Sequence, residues 1–353
     1  MATPTDEGRF ARHRLIPGWN QDRLSAATVV VVGAGALGNA VVQALALAGV
    51  GRLLVCDPDV VAVSNLSRCP LFLPSDVGRP KAETVARALS RLAPDTATSA
   101  RVAPLVSGVG LAELRDADLV VSCLDSRAAR VELATRCNLA SATMLDGGTH
   151  EWGGQVSVHP PGGRCWACGH DRSSLFVPDS PHSCAAPVRT LPEGASAPVS
   201  LLVGAWLANY AVRLLLGLPV GSRLLRVDAA GGAVPVAGRS LAEHPDPGCP
   251  LHERIEDADV TRLPLSARDT VGELLLRVDA DEEPLTWTGF REAGSVRSPL
   301  ATGTRLRAAS PDTRLARLGV APREILTVMH PRTSGLRYVE LTGETAAAAE
   351  VGR

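Results

Sequence analysis

The sequence predicts an α/β fold: a doubly wound, mostly parallel sheet, followed by a small α+β region. Three observations carry that reading. Apolar runs of strand length alternate with helical runs from residue 27 to about 148. The first strand meets the first helix at a glycine-rich turn. After "HPDPGCPLHE" the composition changes, and residues 258–353 hold no cysteine and mix short helical and strand patterns.

The elements follow in order. "ATVVVVG" and "GRLLVCD" read as buried strands, with the helix "NAVVQALALAGV" between them. A helix is expected from Lys81 to about Leu92. "DADLVVSCLD" is a buried strand ending on Asp125, "RAARVELATRCNLA" a helix and "ATMLDGG" another strand. Residues 160–200 are rich in Pro, Gly and Ser and read as loop and crossover. "PVSLLVGAWLANYAVRLLLG" is a strongly apolar helix. The expected domains are 1–257 and 258–353, the second an accessory unit without a motif.

Bulk properties narrow the function. The 353 residues are 45% hydrophobic and carry a net charge of −1, which gives no case for binding nucleic acid or a membrane. Four Phe, five Trp and two Tyr leave little for base stacking. The start, "MATPTDEGRFARHR", lacks the apolar core of a signal peptide. Glycines break the apolar run after Ala27, so it reads as strand and helix rather than a membrane span. Eight cysteines in such a chain suggest the cytoplasm, where close pairs are more often metal ligands than disulfides.

Gly33-Ala34-Gly35-Ala36-Leu37-Gly38 fits G-x-G-x-x-G between a strand and a helix, which makes the fold Rossmann-like. Gly33 permits the turn, Gly35 lets backbone approach a phosphate, and Gly38 allows close packing. Asp57 closes the next strand, where an acid binds ribose hydroxyls. That much would suggest NAD, and an NAD-dependent oxidoreductase is one alternative. "DPDVVAVSNLSRC" argues for a triphosphate instead. It places Asp57, Asp59, Asn65 and Arg68 after the second strand, and Lys81 follows. Lys81 is the single lysine among 36 basic residues. Its compact ammonium suits a role that a flat, forked guanidinium fills badly. Arg68 and Lys81 can neutralise the β- and γ-phosphates and a departing pyrophosphate. Asp125, at the carboxyl end of a strand, can hold Mg²⁺.

Cys165-x-x-Cys168 and Cys249-x-x-His252 supply three sulfurs and one nitrogen. Such a closed set suits a structural zinc knot, with no position left for a catalytic water. Cys56, Cys69, Cys123 and Cys137 lie in or beside apolar elements and read as packing.

Together these motifs resemble the ThiF/MoeB/HesA superfamily, adenylating enzymes related to ubiquitin-activating enzymes. The resemblance covers about residues 9–255. It is carried by "RFARHRLIPGWNQDRL", "VVGAGALG", "CDPDVVAVSNLSRC", "VGRPKAETV", "LVVSCLDSRAARVELATRC" and "DGGTHEWGGQVSVHPP". It implies that the enzyme binds ATP·Mg²⁺ and that a C-terminal carboxylate attacks the α-phosphate, giving an acyl-adenylate and pyrophosphate. By position, Asp57 should bind ribose, and Asn65, Arg68 and Lys81 the phosphates, with Ser64 also among the nucleotide-binding residues. Asp125, next to Ser126, would be the magnesium acid. Arg12 matches an arginine that reaches the ATP of the partner subunit, which implies a homodimer. Cys184 falls in the crossover loop beside His182, where some members hold a catalytic or persulfide-forming cysteine and others a plain loop cysteine. Three departures stand out: Ala36 replaces a glycine of the phosphate loop, Cys69 a glutamine, and Ser126 an asparagine. His252 also stands where relatives use a fourth cysteine.

The expected substrate is the carboxylate of a small sulfur-carrier protein ending in Gly-Gly. A ribosomal peptide or a metabolite acid is the alternative within the same chemistry. An inactive scaffold would bind no ATP at all.

Overall fold

The computed structural model describes residues 8–168, 170, 194–220, 223–228, 230–231, 236–239, 244–249, 251–287, 303–330 and 336–343. Cys184 and His182 lie outside the described residues.

A short helix, α1 (Gln21–Ala26), leads into β1 (Thr28–Val32), α2 (Ala36–Leu47) and β2 (Arg52–Cys56). Next come α3 (Lys81–Leu92), β3 (Ala97–Arg101), α4 (Leu105–Gly108) and α5 (Leu111–Asp116). β4 (Leu119–Ser122), α6 (Arg127–Leu139), β5 (Met144–His150) and β6 (Gly153–His159) follow. α7 (Ala197–Leu216), β7 (Leu224–Asp228) and β8 (Val236–Arg239) complete one sheet of order β3-β2-β1-β4-β5-β6-β7-β8. β1 to β5 run parallel, and β5 to β8 pair antiparallel. The chain therefore switches direction between β1 and β4, the crevice where open α/β sheets bind ligands.

β1 reads Thr-Val-Val-Val-Val and is central, so its side chains are buried on both faces, as a parallel strand demands. β3, "ATSAR", carries no such signal, because it is a partly exposed edge. α7 is long and apolar enough to cross a membrane by length and composition, yet 56% of its apolar window is buried in this protein. Its small residues let it lie against α2, where a Cβ on Gly204 would sit 2.5 Å from that of Ala40. α7 ends on Gly217, whose φ of 70° supplies the left-handed cap.

A second sheet has the order β11-β10-β12-β13-β9. Its strands are β9 (Val260–Leu263), β10 (Glu283–Trp287), β11 (Gly303–Arg305), β12 (Ile325–Met329) and β13 (Leu336–Leu341), with α8 (Val271–Leu275) alongside. Leu265, Val271, Leu274, Leu326 and Val339 build a separate apolar core.

Charge joins this sheet to the first. Arg136 of α6, with no side-chain exposure, meets Glu324 at 2.7 Å and donates to the Val109 carbonyl. The other oxygen of Glu324 accepts from the amides of Leu111 and Ile325. Glu340, 1% exposed, takes Arg115 and Arg323 at 2.7 Å each. Backbone also approaches backbone closely: a Cβ on Gly110 would stand 2.1 Å from the Pro322 carbonyl oxygen.

Removing one partner of a fully buried pair strands the other charge. Glu324→Ala should therefore cost about 3–5 kcal/mol in denaturant unfolding. The double change Arg136→Met/Glu324→Leu should recover only the part due to the stranded guanidinium, because the Leu111 and Ile325 amides stay without their acceptor.

Candidate nucleotide cleft and metal cluster

A cleft of about 360 Å³ opens at the carboxyl ends of β1, β2 and β4, within the size range of small-molecule sites. Gly33, Gly35 and Ala36 form one lip, and Asp57, Asp59, Asn65, Arg68, Lys81 and Asp125 also line it. Residues spread over about 90 positions of sequence thus meet at one place.

The phosphate loop is shaped by sterics. Gly33 has φ +99°, and a Cβ there would meet the Cys123 carbonyl oxygen at 2.4 Å. A Cβ on Gly38 would lie 2.0 Å from the Gly33 oxygen, so helix and turn close only on glycine. Gly38 therefore shapes the loop from behind and does not line the cleft. Gly35 caps α2, whose first N–H groups point to the cleft end of the helix.

Asp57 is 6% exposed and accepts from the amides of Ala34 at 2.7 Å and Asp59 at 2.8 Å. It braces the phosphate loop against the end of β2. Burial pushes its carboxyl above the ordinary value, an effect the Ala34 amide, the Lys81 charge and the Asp59 amide partly offset. Lys81 opens α3. Its Nζ reaches Asp59 Oδ2 at 2.7 Å with the lysine side chain only 13% exposed, and its amide donates to the Asp59 carbonyl. Asn65 Oδ1 accepts from Ala62 N, which folds the 63–65 turn. Arg68 donates to the Ser64 carbonyl at 2.8 Å.

The structure does not bring every expected residue to the cleft. Ser64 offers its carbonyl to Arg68 and does not line the cavity. The Ser126 hydroxyl accepts from Ala129 N and caps α6, so its side chain serves the helix. That cap fixes the chain just after Asp125, which stands exposed on the wall. Arg12 is exposed on the N-terminal turn, outside the cleft of its own chain. Cys56 and Cys123 do line the cleft besides packing. Burial pushes the Cys56 thiol up to about 12 and the Cys123 thiol higher still, so both stay protonated.

Beneath the wall lies a network that sequence reading missed. Asp146 of β5 is fully buried and accepts from Arg130 Nε at 3.1 Å, Ser122 Oγ at 2.6 Å and Trp166 Nε1 at 3.1 Å. Arg130 also donates to the carbonyls of Leu124 and Gly147, both cleft residues. The signal was present in "DSRAARVE" and "LDGG", but either charge alone reads as surface.

Trp166 belongs to the second site. Cys165, Cys168, Cys249 and His252 bring their ligand atoms within 4.8 Å of one another. The Cys165 sulfur lies 3.7 Å from those of Cys168 and Cys249. A tetrahedral ion with metal–sulfur bonds of about 2.3 Å has an edge of about 3.8 Å, so the cluster fits such an ion. Hydrogen bonds from the Cys165 and Cys249 thiols and the Asp246 amide pull the Cys168 thiol down toward its thiolate. His159, kept neutral by burial, donates from Nδ1 to the Arg164 carbonyl and pins the turn before Cys165. Asn138 of α6 holds the Leu251 carbonyl between the other two ligands.

Comparison with known proteins agrees with this geometry. The ThiF family model matches residues 9–251. The sulfur carrier protein adenylyltransferase of Thermus thermophilus is 34% identical over 260 residues, 70% of this chain and 92% of that protein. The molybdopterin-synthase adenylyltransferase of Escherichia coli is 32% identical over 228 residues, 63% of this chain and 88% of that one. Among solved structures, E. coli MccB with ATP shares the fold at a TM-score of 0.58 and 22% identity, over 70% of this chain and 75% of its own. A phosphate loop at a sheet switch point, basic residues on its flank and a Cys₃His cluster behind it all lie within or next to the matched segment, and the chain belongs to the ThiF family.

Proposed function

We propose that the chain is an ATP-dependent adenylyltransferase that activates the C-terminal carboxylate of a small Gly-Gly-ending carrier protein as its acyl-adenylate, releasing pyrophosphate. One observation carries the reading: the phosphate loop, Asp57, Asn65, Arg68, Lys81 and Asp125 line a single cleft. Family membership and adenylyltransferase relatives support it. The same cleft weakens the NAD reading, since a dinucleotide needs no cationic flank of this kind. A peptide or metabolite acid would be activated identically, so exchange assays with both substrate classes decide between them.

The roles follow from chemistry. Backbone amides at the start of α2 and the charges of Arg68 and Lys81 bind the triphosphate and stabilise the departing pyrophosphate. Asn65 adds a neutral donor on the same flank. Asp57 meets the ribose with lone pairs left after its two backbone contacts. Asp125 and the phosphates are the groups that would hold Mg²⁺, which neutralises charge building on the leaving oxygen. Arg12 is exposed outside its own cleft, which leaves it free to take the role the family resemblance gives it, reaching the partner's cleft in a homodimer. Zinc is the ion that the Cys₃His set suits, and its role is structural. The cytoplasm fits a cysteine-rich chain of this family. Residues 1–257 form the adenylation unit and 258–353 an accessory unit docked on α5 and α6.

Asp125→Ala should lower ATP–pyrophosphate exchange by roughly 100–1000-fold. Since Asp125 is exposed, its melting temperature should match the parent; near-normal exchange would refute the assignment. Lys81→Arg keeps the charge, but the larger planar head does not fit a nearly buried pocket cut for Nζ, so exchange should fall by at least about 10-fold. Full turnover in that variant would show that charge alone suffices. Stripping the metal with a chelator should lower the melting temperature by more than about 5 °C while folded protein still exchanges pyrophosphate. An unchanged melt would remove zinc from the account.

A further inference from the structure

The cleft has a second helix opening onto it. α7 starts at Ala197, and Gly194, Ala195 and Ser200 before and within its first turn line the same cavity as the phosphate loop. Ser196 caps this helix without a side-chain bond to the first turn, and no acidic residue occupies that turn. With Pro198 in its second position and the Ser200 amide bonded to the Ser196 carbonyl, the turn is left with the Ala197 and Val199 amides and partial positive charge at the cavity end of the helix. A helix start alone would say little. Ser200 adds an independent fact: it is 1% exposed, and among the described residues its Oγ has no hydrogen-bond partner. Buried hydroxyls are paired in the great majority of cases, because an unmade bond is costly. A hydroxyl left unpaired at the edge of a ligand cleft points to an acceptor that arrives with the ligand.

The position says which ligand. Arg68 and Lys81 follow β2 on one flank of the cleft, and Asp125 follows β4. Gly147 to Thr149, in the second half of β5, line the opposite flank, beneath α7. The nucleotide's cationic partners are thus on the β2 side, and the Ser200 turn is on the far side of Asp125. Resting on the adenylation reading above, we propose that the first turn of α7 with the Ser200 hydroxyl is the subsite for the substrate's carboxylate. One carboxylate oxygen attacks the α-phosphorus, and the new O–P bond forms as the bond to the bridging oxygen breaks. The electron pair leaves with pyrophosphate, and no proton moves. The Ser200 O–H donates to the other oxygen, which becomes the acyl carbonyl of the adenylate.

Calorimetric titration of the full chain with two probes tests this. The probes are the α,β-methylene analogue of ATP with Mg²⁺ and glycyl-sulfamoyladenosine, which carries the smallest acyl group on an AMP mimic. AMP is the reference. Ser200→Ala should bind the ATP analogue within about twofold of the parent and glycyl-sulfamoyladenosine about 10-fold more weakly, the size of one hydrogen bond to a charged or polarised group. It should melt no lower than the parent, because among the described residues the hydroxyl makes no bond. Ser200→Asp, which places like charge at the subsite, should lose the acyl probe further. If Ser200→Asp does not fold, Ser200→Ala decides. The proposal is overturned if Ser200→Ala keeps the parent's preference for the acyl probe over AMP, or loses both probes equally. It is also overturned if the parent binds the acyl probe no tighter than AMP. A parent that binds no ATP analogue overturns the adenylation reading itself, and the subsite falls with it.

Discussion

The structure depends on one buried ion pair, Arg130 with Asp146. Taking two charges out of water costs several kcal/mol per ion, and Coulomb attraction offsets that only when every remaining donor and acceptor is used. Here they are used. Asp146 accepts from Ser122 on the adjacent strand and from Trp166, while Arg130 spends its other donors on the Leu124 and Gly147 carbonyls. The pair therefore fixes the end of β4 and the middle of β5 relative to the start of α6. Those three segments form the wall that presents Asp125. An apolar pair of similar volume would pack, but it would leave the Leu124 and Gly147 carbonyls without these donors and the wall without a defined position.

α6 carries this constraint outward in two directions. Arg130 and Arg136 are six residues apart, so they project about 120° apart around the helix. Arg130 serves the cleft, and Arg136 locks onto Glu324 of the second sheet. A third tie comes from the Cys₃His cluster. The Trp166 ring, between two of the ligands, stacks on His170, lies 5.9 Å from the Arg130 guanidinium and donates to Asp146. Cluster, cleft wall and second sheet are thus registered to one helix. This explains why α6 buries two arginines, a threonine and an asparagine, and does not read as an ordinary amphipathic helix.

What sequence alone revealed follows from how far each signal reaches. The central strands, the phosphate loop and the helices at 36–47, 81–92 and 127–139 were legible because their information is local: apolar runs, glycines at fixed offsets, a cap. The Cys₃His set was legible because metal ligands come in close pairs. β3 was not, since a polar edge strand is defined by its neighbour rather than by its own residues. The Arg130–Asp146 pair was invisible for a related reason. Each charge resembles a solvated one until the fold brings it beside the other. Ser126 was read as a cleft residue from its place next to Asp125, whereas the geometry assigns its hydroxyl to helix capping. Ser200 carried no signal at all, because one serine in an apolar helix acquires meaning only when the described residues around it leave its hydroxyl without a partner.

The cleft must also solve an electrostatic problem. The proposed reaction brings a carboxylate toward a triphosphate, and like charges a few ångströms apart repel strongly in a site sheltered from water. Cations alone do not solve this. A cluster of arginine and lysine strong enough to hold both anions would also hold pyrophosphate and slow its release. The proposed subsite on the β5 side is a softer device: the free amides at a helix start and a hydroxyl, which attract an anion without a full charge. On the β2 side, full charges flank the position the departing phosphates would take. Attraction is then graded across the cleft, weak where the acid enters and strong where pyrophosphate forms. Such a gradient favours the displaced state over the starting one, and so lowers the barrier without trapping the acid in the ground state.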